Sequence, residues 1–291
     1  KVNERKSYSF FWLSKETSIL INNWFMMYFL SVVLIGTVYP IFLDVISSQK
    51  ISVGPPFYHK LIIPFLIPFL IMMAIGPKLK WIKSQLEDKI YLITFLVISI
   101  LIAFLVLKQF NQNFLINTIL ISSAFYLFFI TVRDFFVKKY NNISQNIAHF
   151  GFSLLILSIL FNNLFSSEVI TNLKVGETFE NSETKIVFES IDQKKEQNYN
   201  SIIANFSIVN SSGEADRLSP ELRIYNQPVI ATSEADIKTT LMSDKFIVIN
   251  LVQDQDFFNI RFQVKPFMLW IWLSVILISC GGMISLFKKR S

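Results

Sequence analysis

The chain has 291 residues, of which 52% are hydrophobic and only 16% charged, with 30 phenylalanines and a net charge of +6. A water-soluble domain carries about 25% charged residues, so a freely soluble globular protein is excluded. One cysteine, Cys280, rules out an internal disulfide and any CxxC redox or zinc motif. The chain opens on Lys1 without a signal peptide and is expected to be a processed product or part of something longer.

Six runs approach the ~20 apolar residues that cross a bilayer. In chain order they are predicted at about 20–42, 61–76, 90–107, 114–132, 143–164 and 267–287. Asn22 and Asn23 enter the first and are expected to hydrogen-bond within the bundle. The second is short and holds Pro64 and Pro68, so neighbours must satisfy the carbonyls that proline frees. Ahead of it, Gly54 permits a bend, Pro55 and Pro56 fix φ, and Phe57 and Tyr58 favour the membrane interface. These five residues are predicted to form a stiff apolar shelf in an outer loop. Trp270 and Trp272 mark an interface in the last span.

Charge orients the bundle. Loops on the side of the N-terminus hold Lys1, Arg5, Lys6, Lys15, Lys78, Lys80, Lys83, Lys89, Arg133, Lys138, Lys139, Lys288, Lys289 and Arg290, against Lys50, Lys60 and Lys108 in the short loops opposite. The positive-inside rule then places both ends inside. Residues 166–265 differ in kind. They hold ten basic and fifteen acidic residues, net −5, while the rest carries +11. Runs such as "TKIVFESI", "IIANFSIVN" and "FFNIRFQV" alternate β-branched or aromatic with polar residues between turns, the mark of an antiparallel sandwich or open barrel. The predicted fold is a membrane α-helical bundle of about six helices, residues 1–165 and 266–291, with a small antiparallel β domain, 166–265, inserted on the outer face.

The fifth span carries His149. Gln145, His149 and Ser153 share a helix face, with Asn146 beside it and Ile147, Leu154 and Leu155 opposite. Such a stripe should face the bundle interior. Three readings stand: a histidine that glues helices by hydrogen bonding; a proton relay, which needs a chain of partners although no span offers an interior Asp or Glu; and an axial haem ligand, which neutral imidazole suits. Gly151 is expected to leave room for a bulky group near the imidazole. His59, at the outer end of the second span, is separated from His149 by ~15–20 Å in depth, given a ~30 Å core, so the two cannot share one iron. Lys265, before Pro266, is a candidate contact for a haem propionate or an ordinary snorkelling lysine.

Several stretches in order carry a resemblance. "SKETSILINNW" with "VVLIGTVYPI", "KISVGPPFY", "IAHFG", "LSPELRIYNQPVIATSEADI" and "VKPFMLWIW" followed by Cys280-Gly281-Gly282 resemble the C-terminal part of the CcmF family, the haem lyase subunit of system I cytochrome c maturation. The resemblance implies that His149 is an axial ligand of a haem b. It implies partners in a haem chaperone, apocytochrome c and other maturation subunits, and a quinol that reduces the haem. Haem would be joined to the CxxCH thiols of apocytochrome c at the outer face of a bacterial inner membrane, or of a mitochondrial one. The Gly54–Tyr58 shelf could then line the meeting place of haem and acceptor or a quinol entry, or simply brace a turn.

The family's WWD-type motif, its flanking outer histidines and its first membrane histidine have no counterpart in these residues, and His59 takes no haem role. An N-terminal half, on the same or a separate chain, is therefore expected to complete the site, and this stretch alone is expected to be inactive. A non-enzymatic membrane scaffold whose β domain docks a partner is the alternative, a permease a weaker one. No nucleic-acid partner is expected.

Overall fold

The structure, a computed structural model, describes residues 14–47, 51–81, 89–108, 114–137, 142–181, 184–210, 213, 215–252 and 256–287. Of the charged loop residues, Lys1, Arg5, Lys6, Lys50, Lys83, Lys138, Lys139, Lys288, Lys289 and Arg290 lie outside the described residues. Two compact units emerge, Lys1–Leu157 with Leu273–Ser291, and Ser158–Trp272.

Among the described residues six helices are long and apolar enough to cross a membrane: α1 Lys15–Ser47, α2 Pro55–Ile75, α3 Lys89–Leu107, α4 Phe114–Phe136, α5 Ile143–Phe165 and α6 Met268–Phe287. Ser14 caps α1, its Oγ accepting from the Thr17 N–H at 3.3 Å. The pattern places the start of α2 at residue 61, but the helix begins six residues earlier. Gly54 is its N-cap, and Pro55 and Pro56 form its first turn, where proline's fixed φ suits a helix and its missing N–H costs nothing. The expected loop shelf of Gly54, Pro55, Pro56, Phe57 and Tyr58 is therefore a helix start. Tyr58 lies against α1, where a Cβ added at Gly36 would come within 2.6 Å of its hydroxyl. A short 3-10 turn, Gly76–Lys78, extends α2.

In the first unit α4 is the central helix. Leu120, Ile121, Ala124, Leu127 and Ile130 recur at helical spacing and are almost wholly buried. Hydroxyls along it are satisfied within the helix, as Ser123 donating to the Leu120 carbonyl and Thr131 to that of Leu127. Aromatic rings join the helices: Phe69 of α2 meets Phe25 of α1 and Phe152 of α5 edge to face, and Phe150 of α5 packs on Phe128 of α4. The run of α4 also continues past Arg133 and Asp134, expected in a loop. Arg133 stacks 3.6 Å over the Tyr91 ring, and Asp134 is buried.

The second unit is an antiparallel sandwich. One sheet has the order β1 (Ser167–Leu173), β10 (Phe258–Pro266), β9 (Ser243–Leu251), β8 (Asp236–Thr239). The other runs β2 (Thr178–Glu180), β3 (Thr184–Lys195), β4 (Tyr199–Asn210), β6 (Glu221–Asn226), β7 (Val229–Glu234), with β5 (Ala215–Leu218) also on β4. Alternate residues of both sheets fill the core: Ile186 and Phe188, Ala204, Phe206 and Ile208, Ile247 and Ile249, Ile260 and Phe262. Phe188 and Phe206 face each other in register and stack at 4.5 Å. At the edge, buried Asp216 accepts from Lys238 and Lys245, each at 2.6 Å.

Candidate functional site

His149 is the seventh residue of α5 and half-buried. It lines a partly open cavity of about 280 Å³ together with Gln145, with Lys15, Ser18, Ile19 and Asn22 of α1, and with Met72, Met73, Gly76 and Pro77 at the end of α2. Periodicity explains who is there. Positions 145 and 149 are four apart on α5, and 15, 18, 19 and 22 form one stripe of α1. The walls are held in place by the backbone: the Lys15 N–H donates to the Lys80 carbonyl at 3.2 Å, and Gly76 lets Ser18 approach to where a side chain would clash.

The other polar residues of α5 do different work. Ser144 donates to the Gly281 carbonyl at 2.7 Å, and Asn146 to the Asp134 carbonyl at 3.2 Å. Ser153, expected on the stripe of His149, is fully buried and donates back to the Phe150 carbonyl. Among the described residues none hydrogen-bonds the His149 ring. The gluing of α5 to its neighbours thus falls to Ser144 and Asn146, and His149 faces open space.

Gly151 does not make room for a cofactor. A Cβ there would come within 3.0 Å of the Ile278 backbone N and of Leu277 Cβ, because α6 occupies the space. Gly281 answers from α6, where a Cβ would meet the Ala148 backbone N at 2.7 Å. Small residues on both helices let the backbones close, and 151 lies roughly 200° around the helix from 149. Lys265, on β10, stands across the ladder from Asp244, and its charge acts on the Glu168 carboxylate of the neighbouring strand β1. His59 is exposed in the second turn of α2, thirteen residues before Met72. At 1.5 Å per residue that is ~20 Å from the cavity, so the two histidines stay apart.

Sequence reasoning missed one feature beside the site. Lys78 Nζ lies 2.8 and 2.5 Å from the carboxylate oxygens of Asp134, with 1% and 7% of the two side chains exposed. A span does therefore hold an interior carboxylate, contrary to expectation. The signal was one charge at each end of two apolar runs, but their pairing across 56 positions is a tertiary fact.

Residues 164–266 match the family model described as the CcmF C-terminal beta-sandwich. The cytochrome c-type biogenesis protein CcmF of Pseudomonas fluorescens is 26% identical over 294 residues, covering 95% of this chain and 44% of the relative. The CcmF of Haemophilus influenzae is 25% identical over 293 residues, covering 95% and 45%. A solved structure titled "Cytochrome c Heme Lyase CcmF" shares the fold, with a TM-score of 0.73 over 95% of this chain and 46% of that one, at 19% identity. The chain spans a little under half the length of the curated relatives it matches. With the bundle and inserted sandwich present, this multi-pass membrane protein is similar over 95% of its length to the C-terminal part of CcmF cytochrome c biogenesis proteins, and its residues 164–266 match the CcmF sandwich.

Proposed function

We propose that the chain is the C-terminal portion of a cytochrome c haem lyase, and that His149 holds a resident haem b from one side. The observation that carries this reading is the division of labour on α5: Ser144 and Asn146 bind neighbouring helices, whereas His149 and Gln145 line a cavity with Met72 and Met73. The donor set fits. An imidazole suits haem iron, and a thioether-rich apolar wall suits a macrocycle. The scaffold reading would make His149 a glue residue hydrogen-bonded across helices, which the cavity argues against.

At about 280 Å³ the cavity is just below the usual range of ligand pockets. A macrocycle there would extend beyond these walls, and an N-terminal half, on the same or a separate chain, would supply the rest of the site. A haem b bound there would supply one-electron chemistry, with quinol as the donor. His149 would hold the iron. Lys15, Ser18, Asn22 and Gln145 offer the polar rim, and Ile19, Met72 and Met73 exclude water. The substrate haem and apocytochrome c, brought with a haem chaperone and other maturation subunits, meet on the outer face, where the charge bias puts the β domain. The thiols that react belong to the CxxCH of the acceptor. The membrane is the bacterial inner membrane.

The test uses the intact membrane complex purified from its host. His149→Ala should abolish the b-type Soret and α bands while Ser153→Ala keeps them, and imidazole added to His149→Gly should restore them. Full haem content in His149→Ala, with the complex intact, overturns the ligand assignment.

A further inference from the structure

The β8–β9 hairpin turns through Leu241 and Met242. The Thr240 N–H donates to the Ser243 carbonyl at 3.0 Å across this two-residue tip. Tips of this length favour Asn, Gly or Asp, whose backbones accept the tight bend and whose side chains face water. Here both positions are large and apolar, and both are exposed in the chain, at 60% and 59%. Turn chemistry does not account for them.

Their placement does. The Phe267 N–H donates to the Met242 carbonyl at 2.8 Å, and Trp270 Nε1 to the Leu241 carbonyl at 3.0 Å. Both tip carbonyls are thus taken by the first turn of α6, a helix apolar enough to span a membrane. The junction is firmly held. Ser243 pairs with Pro266 across the ladder, Asn162 donates to the Pro266 carbonyl at 2.6 Å, and the Phe267 ring packs on Phe161. Phe267 keeps φ at +61°, a left-handed conformation that a bulky residue adopts only when its surroundings impose it. The tip therefore rides at the depth of the first turn of α6, where Trp270 marks the headgroup level.

We propose that Leu241 and Met242 form a lipid-binding tip, inserted into the headgroup–acyl boundary beside α6. The tip anchors the β8–β9 edge of the sandwich to the membrane at a further point, besides the covalent attachments through Phe165 and Pro266. Hydrophobic side chains at that depth are solvated by acyl chains, which explains why an exposed pair carries neither charge nor turn-forming residues.

The experiment places nitroxide labels at Leu241→Cys and Met242→Cys, in a Cys280→Ser background, and reconstitutes the complete protein complex in phosphatidylcholine nanodiscs. The control site is Val229→Cys, 80% exposed at the β6–β7 turn. Power saturation compares collisions with oxygen, which concentrates in lipid, and with a water-soluble nickel chelate. Oxygen should exceed the chelate at least threefold at 241 and 242, and the ratio should invert at 229. Chelate access at 241 and 242 equal to that at 229 overturns the proposal. So does an immobilised label shielded from both reagents, the result expected if a protein partner covers the tip. Both positions point away from the core, so either variant alone keeps the test decisive.

Discussion

The ion pair between Lys78 and Asp134 offers the sharpest test of how the cavity is held. Lys78 ends the 3-10 turn whose first two residues, Gly76 and Pro77, line the cavity, and Asp134 belongs to the central helix. At 2.8 Å and an effective dielectric near 20, the gross attraction is about 6 kcal/mol. Most of it offsets the removal of both charges from water. The net value of the pair is therefore small, but losing one partner strands a buried charge and costs about 3–5 kcal/mol. Asp134→Leu and Lys78→Met should each destabilise by that amount. The double variant Lys78→Met/Asp134→Leu should recover most of it, giving a coupling of roughly 3 kcal/mol or more. Reversible unfolding in mixed micelles, by detergent titration or steric trapping, measures all four corners of the cycle. With the turn released, Asp134→Leu should also lower haem retention in the purified complex, read as Soret absorbance per protein. Single variants within about 1 kcal/mol of the parent, the value of an exposed pair, would refute the claim that this pair is buried and structural.

Gly281→Ala should weaken the α5–α6 contact by about 1–3 kcal/mol, since the new methyl group meets backbone that cannot step aside, whereas Gly282→Ala, with nothing within 4 Å, should be neutral in the same assay. In the β domain, hydrogen bonds from Lys238 and then Lys245 hold the Asp216 carboxyl below its ordinary pKa. A carboxylate depressed in the folded state adds stability above its unfolded pKa near 4 and loses it as pH falls through the lower folded value. Acid unfolding below about pH 4 should therefore shift to higher pH in Asp216→Asn, with a loss of about 2 kcal/mol at neutral pH, followed by circular dichroism. An unchanged acid midpoint would remove Asp216 from the acid response.

The apolar runs were legible because a bilayer demands about 20 consecutive apolar residues, and the sandwich because alternation of period two survives in strands such as "KIVFES". Boundaries were less so. Proline reads as a helix breaker, yet at Pro55 and Pro56 it begins α2, because the first turn needs no N–H. Asp134 reads as a loop residue beside Arg133, yet the helix continues and its charge is met by Lys78. Gly151 could equally have admitted a cofactor or a neighbouring backbone. Only the position of α6 decides, and that is tertiary information. The face of α1 that meets His149 was likewise hidden, although Lys15, Ser18 and Asn22 already formed a polar stripe.

What the sequence carried all along is the angular plan of α5. At roughly 100° per residue, Ser144, Ala148 and Gly151 fall within about 60° of one another, Gln145 and His149 within about 40°, and Asn146 and Phe150 within about 40° on a third side. The first group meets α6 and the third meets α4. A helix clamped on two faces cannot roll, so the direction of the remaining face is set by backbone contacts rather than by any hydrogen bond to the imidazole. That arrangement suits a ligand histidine. An imidazole whose direction is set by the helix that carries it meets a ligand with part of its entropy already lost, and its two ring nitrogens divide the work, one for a metal and the other for a hydrogen-bond acceptor that fixes the tautomer.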